Sequence, residues 1–163
     1  MGVDCHHETV HGGLSARDRE AAIAAAAARC EADGERMTGP RRRVLDLLLT
    51  AGEPVKAYDL IGRFGEEGQA AKPPTVYRAL DFLERRGLVH RIASISAYVA
   101  CSAGDKAHSA AFLICDCCGA AEEVAPSVDP GFAEAAGRAG YLIERTTIEG
   151  HGRCPACRAG HDG

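Results

Sequence analysis

Two short cysteine motifs near the end of the chain restrict its fold more than any other feature of the sequence. Cys115 and Cys118 form one C-x-x-C motif, and Cys154 and Cys157 form the other. Each motif can direct two thiolates at one ion, so the two motifs supply the four ligands of a closed, tetrahedral structural zinc site. The residues between the motifs must then fold back on themselves, and the metal holds a small subdomain together.

Redox chemistry or disulfide bonding is the alternative use of these motifs. A thioredoxin-like site needs only one C-x-x-C, and disulfide frameworks are typical of small secreted chains. The first fourteen residues carry Asp4, Glu8 and three histidines in place of the apolar stretch of a signal peptide. The sequence contains no run of about 18 or more apolar residues, so it predicts no membrane span. Eight cysteines without an export signal therefore favour metal binding in the cytoplasm.

Charge is distributed unevenly along the 163 residues, although the formal net charge is only −4. Residues 37–92 hold ten Lys and Arg against seven Asp and Glu, whereas the segments on either side are acidic. A basic block between acidic ends is typical of a nucleic-acid-binding segment, although a charge run is more often only solvated surface. With 46% hydrophobic and 26% charged residues, the composition is that of a soluble globular protein.

Capping signals predict three helices in the first part of the chain. Ser15 is the N-cap of an alanine-rich helix that runs to about Cys30. Pro40 lies in the first turn of a second helix, which Gly52 ends, and apolar residues at helical spacing give that helix a broad buried face. A third, short helix is predicted over residues 57–64.

A fourth helix has the two faces that a DNA-recognition helix needs. After a polar loop over residues 65–72, Pro73 and Pro74 open this helix and Gly87 ends it. One side is apolar, and the opposite side carries Tyr77, Arg78, Asp81 and Arg85. The apolar side can pack on a core while Arg and Tyr reach phosphates and base edges in the major groove. By itself, the pattern also fits an ordinary amphipathic surface helix.

Two short apolar runs, at residues 88–92 and 97–100, follow the fourth helix and predict a β-hairpin. Helices followed by such a hairpin are typical of a winged helix-turn-helix, in which the hairpin is the wing. A β-β-α-β unit comes next, with strands predicted at residues 110–115, 122–124 and 141–148 and a helix at residues 130–139. Because this small sheet leaves an edge or a face free, pairing with a second copy is expected.

The predicted fold class is α+β, with an N-terminal winged helix-turn-helix domain followed by a small α/β dimerisation domain that carries a four-cysteine structural zinc site. The expected boundaries are a disordered tail at residues 1–14, a winged-helix DNA-binding domain at 15–100, a hinge at 101–109, the dimerisation domain at 110–158 and a tail at 159–163.

A second group of possible metal ligands lies near the junction of the two predicted domains and comprises His90, Cys101, His108 and Glu123. Sequence spacing does not assemble these residues, and each also has an ordinary interpretation as a buried or surface side chain. Their nitrogen, sulfur and oxygen donors together suit Zn²⁺ better than a hard cation.

Taken together, several motifs resemble the zinc uptake regulator branch of the ferric uptake regulator family. The resemblance covers residues 30–157 in order. It is carried by the runs Ala57–Leu60, Ala71–Leu83, Tyr98–Cys101, Ile114–Gly119 and His151–Cys157. It implies a homodimeric bacterial transcriptional repressor that responds to zinc, with Zn²⁺ as co-repressor and a palindromic DNA operator as partner. It implies neither an enzymatic activity nor a small organic substrate.

By this resemblance, each protomer holds two Zn²⁺ ions with different roles. The ligands of the structural ion are then Cys115, Cys118, Cys154 and Cys157. The ligands of the regulatory ion are then His90, Cys101, His108 and Glu123. A thiolate at Cys101 favours zinc sensing, because the iron- and peroxide-sensing branches use harder donors there.

The resemblance also implies a set of DNA contacts. Tyr77 and Arg78 align with the DNA-contacting pair of the family, and Arg41 aligns with its basic residue at the start of the second helix. Lys72 and Thr75, at the start of the Arg/Tyr helix, complete the predicted DNA-binding set. The family usually has Thr-Pro-Gln-Arg where this chain has Thr-Gly-Pro-Arg, ending at Arg41.

Some residues keep two interpretations. Glu122 is an alternative to Glu123 as a ligand, Cys117 is an extra thiol inside the first motif, and His151 is a candidate outer neighbour of the structural site. The N-terminal tail carries a group that is either a weak metal site or simply part of a polar terminus: Cys5, His6, His7 and His11.

Three other functions fit parts of the sequence. The same scaffold serves iron- and peroxide-sensing regulators. A zinc deaminase would combine the H-x-E at residues 6–8 with the C-x-x-C at residues 154–157, but its signature has Pro where this chain has Arg153. A zinc store without DNA binding is disfavoured by the Arg/Tyr helix and the basic block.

Overall fold

The computed structural model describes residues 13–65, 72–101, 109–127 and 129–159. These residues form two compact units, residues 13–101 and residues 109–159. Most of the predicted N-terminal tail, of the polar loop after the third helix and of the hinge lies outside the described residues. Within the described ranges, no helix is both long enough and apolar enough to cross a membrane.

Four helices make up most of the first unit: α1 (Ala16–Ala32), α2 (Gly39–Ala51), α3 (Ala57–Gly65) and α4 (Pro73–Arg85). All four are confirmed predictions, and capping residues account for the start of α1 and the end of α2. Ser15 Oγ accepts a hydrogen bond from the backbone N–H of Asp18 at 3.2 Å and so caps α1. Gly52 ends α2 in the left-handed conformation, with a φ of 64° that a residue with a side chain rarely adopts.

An antiparallel sheet of three strands completes the first unit: β1 (Val55–Lys56), β2 (Val89–Ile92) and β3 (Ala97–Ala100). Strand β3 lies in the centre, between β1 and β2. Strands β2 and β3 form the predicted hairpin, so the first unit has the helices and the wing of a winged helix-turn-helix. The two-residue strand β1 has too few residues to show an alternating pattern, so the sequence does not predict it.

Packing of α4 on the core determines which side of this helix faces solvent. Its buried side carries Val76, Ala79, Leu80 and Leu83. These side chains belong to the same hydrophobic core as Leu48 of α2 and Leu60 of α3. Burying one leucine side chain contributes about 1.5–3 kcal/mol, so this side of α4 stays inward. The opposite side, with Tyr77 and Arg78, is therefore left exposed.

The second unit consists of strands β4 (Ala110–Cys115), β5 (Ala121–Val124) and β6 (Thr147–Gly152) and helices α5 (Pro130–Arg138) and α6 (Pro155–Ala159). The strand order is β5-β4-β6. Strand β5 runs antiparallel to β4, whereas β6 runs parallel to it. Asp129 caps α5 as predicted, because its Oδ1 accepts a hydrogen bond from the backbone N–H of Gly131 at 2.9 Å.

The last strand lies further along the chain than the sequence predicts. The predicted strand over residues 141–148 is wrong in its first part, because residues 141–146 form no strand. Tyr141 and Leu142 are 72% and 89% exposed, so the apolar run there does not reflect packing within this unit. Strand β6 pairs with β4 along its whole length, and backbone pairing of this kind requires no apolar pattern. The sequence does not predict the five-residue helix α6 either.

Candidate metal centre and nucleic-acid interface

The four motif cysteines lie where two neighbouring strands end. Cys115 is the last residue of β4, and Cys118 lies in the turn that follows. Cys154 comes just after β6, and Cys157 lies in α6. Because β4 and β6 are parallel and adjacent, their C-terminal ends meet at one edge of the sheet. The fold therefore brings together two motifs that are far apart in the sequence.

The sulfur atoms of these cysteines form a cage of the size that a zinc ion needs. All four Sγ atoms lie within 4.8 Å of one another. The Sγ atoms of Cys118 and Cys154 are 3.9 Å apart. In a tetrahedral site with Zn–S bonds of about 2.3 Å, neighbouring sulfur atoms are about 3.8 Å apart. All four cysteines are free thiols, which is what metal coordination requires.

Backbone groups and burial act on these thiols in opposite directions. The N–H of Cys154 donates to Cys115 Sγ at 3.3 Å, and the N–H of Cys157 donates to Cys154 Sγ at 3.4 Å. Hydrogen bonds from the backbone at Cys118 and Cys154 lower the pKa of Cys115 to about 6. Burial raises the pKa of the Cys157 thiol, because a charge there is poorly solvated. A divalent cation among the sulfurs would favour the thiolate at every position.

Two further residues near the cage, His151 and Cys117, have roles that the sequence alone does not decide. His151 holds a carboxylate on each ring nitrogen, since Nδ1 lies 3.1 Å from Asp116 Oδ1 and Nε2 lies 3.7 Å from Glu149 Oε2. This arrangement fits an outer neighbour of the cage. Cys117 is exposed, and the four-sulfur group forms without it.

The wing brings two of the other predicted ligands close together. Val89 pairs with Ala100, and the N–H of Cys101 donates to the carbonyl oxygen of Leu88 at 3.0 Å, so the ladder continues to Cys101. This register places His90 and Cys101 on one face as diagonal neighbours, a spacing that side chains can bridge. His90 is only 8% exposed, and its Nε2 atom is shielded from solvent.

The register of β4 and β5 separates the two glutamates that are candidate ligands. Glu123 pairs with Phe112, which is 2% exposed, whereas Glu122 pairs with Leu113, which is 53% exposed. Glu123 therefore lies on the covered face of the sheet, and Glu122 lies on the open face. The predicted ligand His108 lies outside the described residues, so the set of four is described only in part.

The predicted DNA contacts fall into two groups. Lys72, Tyr77 and Arg78 are exposed on α4 or at its start, and Thr75 is half-buried in its first turn. Arg78 is exposed in the second turn of α4, so its guanidinium can reach a phosphate or a base edge. Arg41 differs, because its guanidinium lies over the ring of Phe82, with 3.4 Å between Cζ and the ring centroid. The sequence does not reveal this contact, since the two residues are far apart in the chain.

Comparison with known proteins identifies a matching family and solved structures that are similar to this chain. The model of the ferric uptake regulator family matches residues 32–151. The zinc uptake regulation protein of Escherichia coli (strain K12) is 42% identical over 130 residues, which are 78% of this chain and 76% of that protein. A zinc uptake regulator complexed with zinc and DNA gives a TM-score of 0.75 at 36% identity, over 89% of this chain and 98% of that one. The crystal structure of holo XcZur gives 0.69 at 40% identity, over 84% and 96%. The predicted fold class is confirmed.

Proposed function

The chain belongs to the ferric uptake regulator family, and on this basis we propose that it is a zinc-responsive, DNA-binding transcriptional repressor of zinc-uptake genes. The observation that carries the proposal is the presence, in one chain, of a winged helix with an exposed Tyr/Arg face and a four-sulfur cage. The similarity to zinc uptake regulators supports Zn²⁺ as the signal, acting as co-repressor. A bacterial operator lies in the cytoplasm, so the protein is expected there.

The cage supports a structural zinc site within a dimerisation domain at residues 110–158. Its proposed ligands are Cys115, Cys118, Cys154 and Cys157. When bound, Zn²⁺ would hold the ends of β4 and β6 against α6 and supply folding free energy to a unit with a small core. Sulfur fills all four positions, so no position stays open for a water or a substrate. This closed shell supports a structural role and disfavours an enzyme such as a deaminase.

A second zinc ion per protomer is proposed to be the signal itself. Its proposed ligands are His90, Cys101, His108 and Glu123. Support comes from the wing, where His90 and Cys101 are neighbours, and from Glu123, which lies on the covered face of its sheet. A thiolate among the ligands favours zinc over a harder ion. Zinc at this set is expected to favour the dimer arrangement that binds DNA.

The operator is proposed to be read by α4. Lys72 and Thr75 lie at its start, and Tyr77 and Arg78 lie on its exposed face. Arg78 can contact guanine or phosphate, and Tyr77 can contact phosphate or the apolar edge of a base. In a dimer, two such helices reach successive major-groove faces about 34–36 Å apart.

A homodimer is supported by the surface of the second unit. Strand β6 is an edge strand, and Leu113, Phe132, Ile143 and Ile148 are exposed apolar side chains. Monomeric proteins seldom leave so many large apolar side chains exposed on a small unit. A two-fold dimer matches a palindromic operator, because each half-site meets the same helix.

The direct test is fluorescence anisotropy with operator DNA from the promoter of a zinc-import operon of the source organism. Free zinc is buffered, and a scrambled duplex of the same length is the matched control. We expect binding to the operator only as free zinc rises, and weaker binding to the scrambled duplex by at least about 10³-fold. Equal operator binding without zinc, or a response to Fe²⁺ in place of zinc, would overturn the proposal.

A further inference from the structure

The side chain of Arg41 is engaged inside the winged-helix unit. The face of its guanidinium lies over the ring of Phe82, with 3.4 Å between Cζ and the ring centroid. Its Nη1 donates a hydrogen bond to the carbonyl oxygen of Arg36 at 2.5 Å. Phe82 is only 3% exposed, and Arg41 itself is half-buried. Both the flat face and one edge of the guanidinium therefore have partners within the protein.

The same ring is approached by a second arginine. The guanidinium carbon of Arg86 lies 5.8 Å from the centroid of Phe82. Arg86 also pairs with Asp33 at 3.0 Å and with Glu35 at 2.8 Å, both in the segment that follows α1. That segment is held locally, since the N–H of Glu35 donates to the carbonyl oxygen of Cys30 at 2.8 Å.

Together these contacts join three helix ends around one aromatic ring. The segment after α1 contributes the carboxylates and the Arg36 carbonyl, the first turn of α2 contributes Arg41, and the end of α4 contributes Phe82 and Arg86. We propose that Arg41 is a positioning residue that fixes the orientation of α4 for DNA reading, and that it is not itself a phosphate ligand. The inference rests on the proposed function, because it concerns how the operator is read.

Arginine chemistry explains why this contact is specific. A guanidinium is planar and weakly hydrated, so it stacks on an aromatic face and still donates at its edge. A lysine ammonium has neither the plane nor the fork of donors, although it carries the same charge. The ring and the Arg36 carbonyl hold one face and Nη1 of Arg41 in place, so the protein itself sets the position of this guanidinium and fewer of its donors are left for a phosphate. Lysine therefore separates the two roles: it can replace a phosphate contact, and it can place a charge near the ring, but it cannot stack flat on the ring and donate from the same planar group to the Arg36 carbonyl.

The test measures the operator affinity of the full-length protein at saturating free zinc, over a series of salt concentrations. For Arg41→Ala we expect a loss of affinity of about fivefold, and for Arg41→Lys a clear loss in the same direction, since the planar stack with its bond to the Arg36 carbonyl is lost in both. The slope of log affinity against log salt should stay unchanged, whereas loss of a phosphate contact lowers it by about 0.9. Full affinity in Arg41→Lys, or a slope reduced by a whole contact in Arg41→Ala, would overturn the inference.

Arg42→Ala is the matched control. Arg42 is the next residue in the chain, carries the same charge as Arg41 and has an exposed side chain. Any affinity that it loses should come with a reduced salt slope. The same loss as in Arg41→Ala at unchanged slope would mean that the effect is not specific to the ring, and would reject the inference.

A double-mutant cycle with Phe82→Leu tests the contact itself. We expect Arg41→Lys to cost little further affinity once the ring is gone, so the two changes are non-additive. Fully additive losses would contradict a shared mechanism. Thermal unfolding checks that each variant is folded, and Arg41→Lys decides the matter should Arg41→Ala be unfolded. If the wild-type protein does not bind the operator at saturating zinc, the proposed function fails. If the wild type binds and Arg41→Lys binds equally well, only the inference about Arg41 fails.

Discussion

The four-cysteine cage and the proposed regulatory ligand set are built from the chain in opposite ways. The cage takes two ligands from each of two short motifs, and one pair of parallel strands brings the motifs together. The proposed regulatory set takes single residues from the wing, the segment after it and strand β5, which are far apart in the sequence. A site made by local motifs is expected to bind whenever its own unit folds. A site made of dispersed ligands responds to how those segments are arranged, which is what a sensor requires.

The largest expected effect is the loss of a cage ligand. For Cys118→Ser we expect the structural zinc to be lost and the second unit to unfold, since structural zinc sites supply about 10–16 kcal/mol of apparent binding free energy. Zinc content and the near-ultraviolet circular dichroism of the variant measure both effects.

Cys117→Ser is the matched control for this change. Its thiol is one residue away, exposed and outside the four-sulfur group, and its contact with the Cys157 thiol is one that a serine hydroxyl can also make. We expect full zinc content and an unchanged unfolding midpoint. A folded, dimeric Cys118→Ser protein would show that the second unit does not depend on the cage. That result would contradict the structural role that distinguishes the cage from the proposed regulatory site.

Acidification should release the structural zinc late. The pKa of Cys115 lies at about 6 in the fold, against an ordinary value of 9.0. Because the folded pKa is lowered, this thiolate contributes its full stability above pH 9, and the contribution is lost as pH falls through about 6. Protons compete with Zn²⁺ for all four sulfurs, so we expect the cage to hold zinc at pH 7 and to release it progressively as the pH falls, as followed with a zinc-sensitive dye. Release already complete at pH 7.5 would be inconsistent with a backbone-stabilised thiolate.

Substitutions at two neighbouring glutamates test which of them is a ligand of the proposed regulatory zinc. Glu123→Gln should raise the free zinc concentration needed for half-maximal operator binding by at least about tenfold, because a charged ligand becomes a neutral one. Glu122→Gln changes the same charge on the open face of β5 and should leave that dependence unaltered. Anisotropy titrations against buffered free zinc measure both variants. The reverse result would move the ligand to Glu122.

Local patterns in the sequence are sufficient to predict much of this molecule. Gly52, Ser15 and Asp129 act as the caps that their residue types suggest, and the C-x-x-C spacing predicts a cage that the strand ends assemble. Features that depend on distant partners are not predictable in this way. Strand β6 is defined by its pairing with β4, and the stack of Arg41 on Phe82 depends on how α2 and α4 cross.

The most direct test of the division between the two sites is to count zinc and measure operator binding in the same Cys101→Ser preparation. Native mass spectrometry reports zinc per protomer, and anisotropy reports affinity as free zinc rises. We predict two zinc ions in the wild type, one in Cys101→Ser, an intact fold in both, and a zinc-dependent gain of affinity only in the wild type. A Cys101→Ser protein that keeps two zinc ions and the full zinc response would contradict the assignment of a separate regulatory site at Cys101.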